Sequence, residues 1–157
     1  MAYHDELLAQ ALQLVHVSPP SQITLRRFVS AAYYAVFHFL ISEATANWNN
    51  AALRTALGRA YDHGVMKTAS NRILNEKDFP FTGEDQSVVS NLRFVARTFS
   101  QLQEARHFAD YDLTKDLDPV RALAQVKSAE KIFSTWPSIR GEQIAQAYLV
   151  SLLVRRG

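Results

Sequence analysis

The segment Glu104-Ala-Arg-His-Phe-Ala-Asp-Tyr-Asp112 brings a guanidinium, an imidazole, a phenol and carboxylates within nine residues. Arg106 and Asp110 are four apart, as are His107 and Tyr111. On a helix this spacing makes two adjacent rows, a fixed cation with a carboxylate and an imidazole with a phenol. Arginine binds phosphate bidentately and stabilises charge developing on it. Histidine takes and returns a proton near neutral pH. Together they are the minimum for metal-free RNA cleavage, in which a 2′-OH attacks the neighbouring phosphate. The same spacing also suits a structural role. Arg106 with Asp110 can tie a helix end, Tyr111 can be a satisfied core tyrosine, and His107 can favour a helix C-terminus through the dipole.

The element carrying these residues must be a helix. Val88, Leu92, Val95, Phe99 and Leu102 recur at spacings of four, three, four and three, a regular core-facing stripe. Its next member is Arg106, a charge where the pattern asks for an apolar side chain. A second helix, Thr24–Ala46, is apolar nearly all round, so it belongs at the centre of the molecule. It has one polar seam, in which Arg27, Ser30, Tyr34 and His38 follow at spacings of three, four and four. Arg27, Tyr34 and His38 are therefore candidate supports for a cleft, although polar core groups commonly just bond one another.

Around these two, the spacing predicts a first helix over Tyr3–Val15, with Leu7, Leu8, Ala11, Leu12 and Val15 buried. Pro19-Pro20 stops it, and Ser21 or Thr24 caps the central helix. Trp48-Asn49-Asn50 ends the central helix. A third helix runs from Ala51 to Tyr61, and after a hinge at His63-Gly64 a short one reaches Leu74. Asn75–Gly83 reads as a loop, with Thr82-Gly-Glu-Asp85 as a capping box. Asp118-Pro119 opens a helix drawing its core from Val120, Leu123, Val126, Ile132, Phe133 and Trp136, and Pro137 closes it. A last segment over Ile139–Val154 either finishes the bundle or reaches to a partner.

The 157 residues form one domain by size. Composition is that of a globular protein, 48% hydrophobic and 20% charged. Absence of cysteine excludes disulfide and thiol chemistry and favours the cytoplasm. The opening MAYHDELLAQ lacks a signal-peptide pattern, and no stretch reads as transmembrane. No glycine-rich phosphate loop and no HExxH spacing occurs, so neither a metal nor another cofactor is expected. The net charge of +2 is unevenly spread. Arg54, Arg59, Lys67, Arg72 and Lys77 make the middle basic, while Asp110, Asp112, Asp116 and Asp118 gather around Lys115. A basic middle attracts phosphate backbones, though a solvated helix face has the same composition.

The run Ser30–His38, SAAYYAVFH, resembles the SRAYYAxFH signature of prokaryotic HEPN-domain proteins. Arg106 with Ala109-Asp-Tyr-Asp112 resembles that family's downstream Arg…ADYD segment, and His63–Val65 its HGV turn. The resemblance spans about residues 3–136 and implies a helical bundle, dimeric, with the arginine-bearing helix ends of two protomers at one cleft. It also implies a metal-independent ribonuclease, of the toxin type paired with a small nucleotidyltransferase antitoxin. The family's catalytic motif is an arginine, a polar residue and, a few residues on, a histidine. Arg106 and His107 match its start, while Tyr111 or Asp112 stands where the histidine belongs. Ala31 replaces the arginine common before AYYA, with Arg27 one turn earlier. In some members a tyrosine near the motif is nucleotidylated, which makes Tyr111 the analogous position.

The expectation is an all-α, HEPN-like up-and-down bundle of five to six helices in a single domain. Its core covers about 3–136 and a C-terminal helix about 139–154. Arg106 would hold the scissile phosphate, His107 would move the proton, and Asp110 and Tyr111 would orient them in a homodimer cleft. The alternative is a non-catalytic RNA- or nucleotide-binding partner of a nucleotidyltransferase.

Overall fold

The computed structural model describes residues 2–75 and 83–154. Seven helices account for these residues: α1 (Tyr3–Leu14), α2 (Gln22–Thr45), α3 (Ala51–Gly58), α4 (His63–Leu74), α5 (Gln86–Tyr111), α6 (Pro119–Ile139) and α7 (Gln143–Ser151). No strand occurs among them. The all-α expectation holds, with seven helices in place of five or six.

Helix α2 is the axis of the bundle, touching α1, α3, α5, α6 and α7. Ser21 caps it by accepting the Thr24 amide at 3.1 Å, and no glycine or proline interrupts it. Leu25, Val29, Ala32, Tyr33, Val36 and Leu40 are essentially inaccessible. Burying a large apolar side chain contributes about 1.5–3 kcal/mol, so this one helix supplies much of the core. Helix α5 answers it with Leu92, Val95, Phe99 and Leu102, all at or near zero exposure. On α1 only Ala11 is fully buried, and Leu8, Leu12 and Val15 pack at the edge of the core.

Several boundaries differ from the expected ones, each through a cap. Asp62 accepts the Val65 amide at 3.0 Å, so α4 begins at His63, and His63-Gly64 is a helical first turn and not a hinge. Asp85 accepts the Ser87 amide at 2.8 Å and is itself the cap that starts α5. Thr82 and Lys77 lie outside the described residues. In α6, Asp118 caps and Pro119 occupies the first turn as expected, but the helix runs through Pro137 to Ile139. Pro137 is exposed in the last turn, where its missing amide leaves the Phe133 carbonyl without an intrahelical partner. Val120 is solvent-facing, and Ala122, Val126, Ala129, Ile132, Trp136 and Ile139 form the buried stripe instead.

The C-terminal segment finishes the bundle. Ile144, Ala145, Tyr148 and Leu149 of α7 are buried against α2, α4 and α5. The Tyr148 hydroxyl meets Ser70 Oγ at 2.7 Å, inside the core, and Ser70 in turn donates to the Met66 carbonyl. No helix among the described residues is long and apolar enough to cross a membrane.

Candidate functional site

The C-terminal end of α5 is built from α2. A helix ends with carbonyls that lack an intrahelical partner, and α5 has no basic residue in its last turn to meet them. Arg26 supplies the cation from outside. Its Nη1 donates to the Ala109 carbonyl at 3.0 Å and the Asp112 carbonyl at 2.8 Å, and its Nη2 to the Lys115 carbonyl at 2.7 Å. A positive charge here also suits the negative end of the helix dipole. Gln22 then pins the following loop, donating to the Leu117 carbonyl and accepting the Leu117 amide. Asp112 folds that loop locally by accepting the Thr114 amide and hydroxyl, bonds that hold its carboxyl below the usual range.

Arg106 sits just inside this end, its side chain only 8% exposed. Its guanidinium lies over three tyrosine rings, 5.1 Å from the centroid of Tyr33, 5.6 Å from Tyr34 and 5.9 Å from Tyr111. Such faces attract a desolvated cation. The nearest carboxylate oxygen, on Asp110, is 3.9 Å away, an ion pair too long for a hydrogen bond. Ser30 Oγ donates to the same carboxylate at 3.4 Å. Arg106 Nε is buried without a hydrogen-bond partner.

Beneath the arginine, the Tyr33 hydroxyl meets His63 Nδ1 at 2.5 Å. Burial raises the Tyr33 phenol well above its ordinary range, with Arg106 pulling the other way. His63 is pushed below its ordinary value by burial and by Arg106, against an opposing pull from Asp62. A protonated phenol and a neutral imidazole are complementary when the Tyr33 O–H donates to Nδ1. The imidazole is also stacked on Phe37, with ring centroids 4.1 Å apart.

Two open grooves flank the helix end. One, of about 460 Å³, has Arg26, Arg27, Ser30, Tyr34 and Asp110 in its wall. The other, of about 530 Å³, is walled by Lys67, Glu104, His107, Tyr111 and Thr114. In this second groove Lys67 pairs with Glu104 at 3.0 Å, and the His107 and Tyr111 rings lie 5.0 Å apart. Arg106 touches both walls, through Tyr34 and Asp110 on one side and Tyr111 on the other.

The two expected rows on α5 therefore form, and Arg27 and Tyr34 of the α2 seam reach the same end. His38 does not join them. Its ring packs against Tyr3, Tyr34 and Phe37, and burial, with His4 and His63 nearby, holds it below its ordinary value. Tyr33, His63 and Arg26 were not among the expected site residues, yet Tyr33 lies against Arg106, Arg26 meets the end of its helix, and His63 bonds Tyr33. Among the described residues no group of side chains is arranged to hold a metal ion. Chemically, the end offers a cation under an exposed tyrosine ring, with an exposed imidazole alongside. Comparison with family models, curated proteins and solved structures returns no match.

Proposed function

We propose that this chain is a HEPN-like protein of the toxin–antitoxin type, a homodimer that engages RNA at the α5 C-terminal end and cleaves it without a metal. The observation that carries the reading is Arg106. A charge on a core stripe, with an unpartnered buried Nε and a 3.9 Å carboxylate, is poorly compensated by its own protein. A phosphate oxygen would complete it. The sequence resemblance over Ser30–His38 and Arg106–Asp112 points to the same residue.

In this reading Arg106 neutralises the scissile phosphate. His107, exposed in the adjoining groove, takes the 2′-OH proton as that oxygen attacks phosphorus. It then returns a proton to the departing 5′-oxygen, leaving a 2′,3′-cyclic phosphate. Tyr111 must swing aside to admit the phosphate, and at 67% exposure its ring is free to do so. Tyr111 and the neighbouring Leu113, 78% exposed, also leave apolar surface for a second copy at the same end.

A second reading, binding of RNA or a nucleotide without cleavage as the partner of a nucleotidyltransferase, is favoured by two observations. Arg106 is covered, and a tyrosine stands where the family motif places its histidine. Labelled single-stranded RNA incubated in excess chelator separates the two. Cleavage by the wild type, lost in Arg106→Ala and in His107→Ala, is the expected result. Binding that needs Arg106, with no cleavage by folded wild type, selects the second reading. Neither binding nor cleavage overturns both.

A further inference from the structure

A titratable group linked to Arg106 through Tyr33 enters from a different helix. His63 lies at the first position of α4, fixed there by the Asp62 cap, and its Nδ1 faces the Tyr33 hydroxyl at 2.5 Å. Tyr33 is wholly buried, so its ring has little freedom of its own. Its face is the nearest of the three tyrosine faces to the Arg106 guanidinium. The chain of contacts is therefore continuous from α4, through α2, to α5. Phe37 stacks on the imidazole from one side and Tyr34 meets it edge-on, so the ring cannot turn without disturbing the aromatic cluster.

We infer that His63 is a positioning residue for Arg106, setting through the Tyr33 hydroxyl the orientation in which the guanidinium meets a phosphate. The inference rests on the proposed engagement of RNA at Arg106 and deepens it. His63 touches no reacting atom in this arrangement. It acts by holding Tyr33, and its charge state acts on the same spot.

The sign of the pH effect follows from the groups facing the imidazole. From α2 these are Tyr33, Tyr34 and His38, from α5 Arg106, and from its own N-cap Asp62. Arg106 opposes a proton on His63, in addition to burial, while Asp62 favours one. A phosphate seated on Arg106 cancels that opposition, so the bound state accepts the proton more readily. By reciprocity of linked equilibria, RNA binds more tightly as pH falls through the His63 titration, below its ordinary value of 6.5.

The test uses fluorescence anisotropy of labelled single-stranded RNA whose 2′-hydroxyls are methylated, so that it cannot be cleaved, at constant ionic strength between pH 5 and 8. Tyr33→Phe keeps the ring and removes only the hydroxyl, and His63→Phe keeps the stacking and removes the bond. Each is expected to weaken binding at pH 7.5 by roughly fivefold, the value of one hydrogen bond. In an Arg106→Ala background neither should weaken it further. His63→Asn places an acceptor near the Nδ1 position and should restore affinity at pH 7.5 while removing the His63 share of the pH dependence. RNA binding that requires Arg106 but is indifferent to Tyr33→Phe and His63→Phe overturns the inference and leaves the proposed function standing. Wild type that binds no RNA overturns the proposed function and this inference with it.

Discussion

Arg106 carries a charge into a position that the α5 stripe reserves for apolar side chains, and its surroundings compensate it incompletely. Desolvating a guanidinium costs several kcal/mol, and a 3.9 Å carboxylate with three aromatic faces returns only part of that. If the residue is kept for function, the fold does not need it. Arg106→Met, similar in length and apolar, is expected to leave unfolding stability unchanged or raise it by about 1–2 kcal/mol, read by urea denaturation. Asp110 keeps access to water and suffers little from losing its partner. A fall of more than about 2 kcal/mol would make Arg106 a structural residue, of the kind whose removal breaks a buried network. Arg106 was legible in the sequence because an unbroken 4-3-4-3 stripe sets a definite expectation at that position. Tyr33 was not. In a helix apolar nearly all round, periodicity gives no sign of which of two adjacent tyrosines faces α5. The polar seam drew attention to Tyr34, which points about 100° away from Tyr33. His63 was missed because its partner lies thirty residues earlier, and such pairs leave no local trace.

At the scale of elements, the site depends on α5 ending where it does. Asp110 and Tyr111 lie in its last turn, so fraying by one turn would release the cover of Arg106. Arg26 fixes that end by meeting carbonyls of Ala109, Asp112 and Lys115 from α2. Arg26→Ala leaves these acceptors to water and removes the cation at the dipole's negative end. It should cost about 2 kcal/mol of stability, since hydrogen bonds from charged donors are worth about 1.5–3 kcal/mol. Hydrogen exchange should show the loss locally, as reduced protection of the amides over residues 109–112, with α2 and the N-terminal half of α5 unchanged. Equal loss of protection throughout α5 would deny Arg26 this capping role. The sequence marked Arg27, its neighbour, because Arg27 lies on the visible seam. Which of two consecutive arginines turns inward depends on the loop after α5, and that loop's path is a tertiary fact. Caps were more legible where a single candidate stood before the helix, as at Asp118, than at α2, where Ser21 and Thr24 were both open and Ser21 is the cap. They were less so at Asp85, read as the far end of a box and found to be the cap itself, and where the Asp62 cap drew His63-Gly64 into the helix.

At the scale of the molecule, α1, α3, α5, α6 and α7 pack on α2, and the aromatic cluster along it partly encloses two imidazoles. The overall class was readable because long uninterrupted stripes and few glycines and prolines leave little but helices. Whether α7 packed on its own bundle was not, because its apolar face suits any apolar surface, and only the buried Tyr148–Ser70 contact settles the matter. The enclosed imidazoles give the whole fold a pH dependence. His38 and His63 are both held below 6.5, chiefly by burial, so the folded state resists their protonation. In the unfolded chain both titrate near 6.5. Between that value and their lower folded values, the unfolded state binds more protons, and stability rises with pH. The contribution is fully present above about 6.5 and is lost progressively as pH falls toward the folded values. Asp85 and Asp112, depressed carboxyls, act in the same direction but only below about 3.8 to 4, a separate window. The wild-type midpoint of thermal unfolding is therefore expected to fall between pH 7 and pH 5, before any carboxylate effect begins. Replacing both imidazoles with neutral amides, His38→Gln with His63→Asn, should flatten the profile over this range even if it lowers the midpoint overall. A double variant with the wild-type slope would place the titrating groups elsewhere, with His4, His16 and His107 the remaining imidazoles.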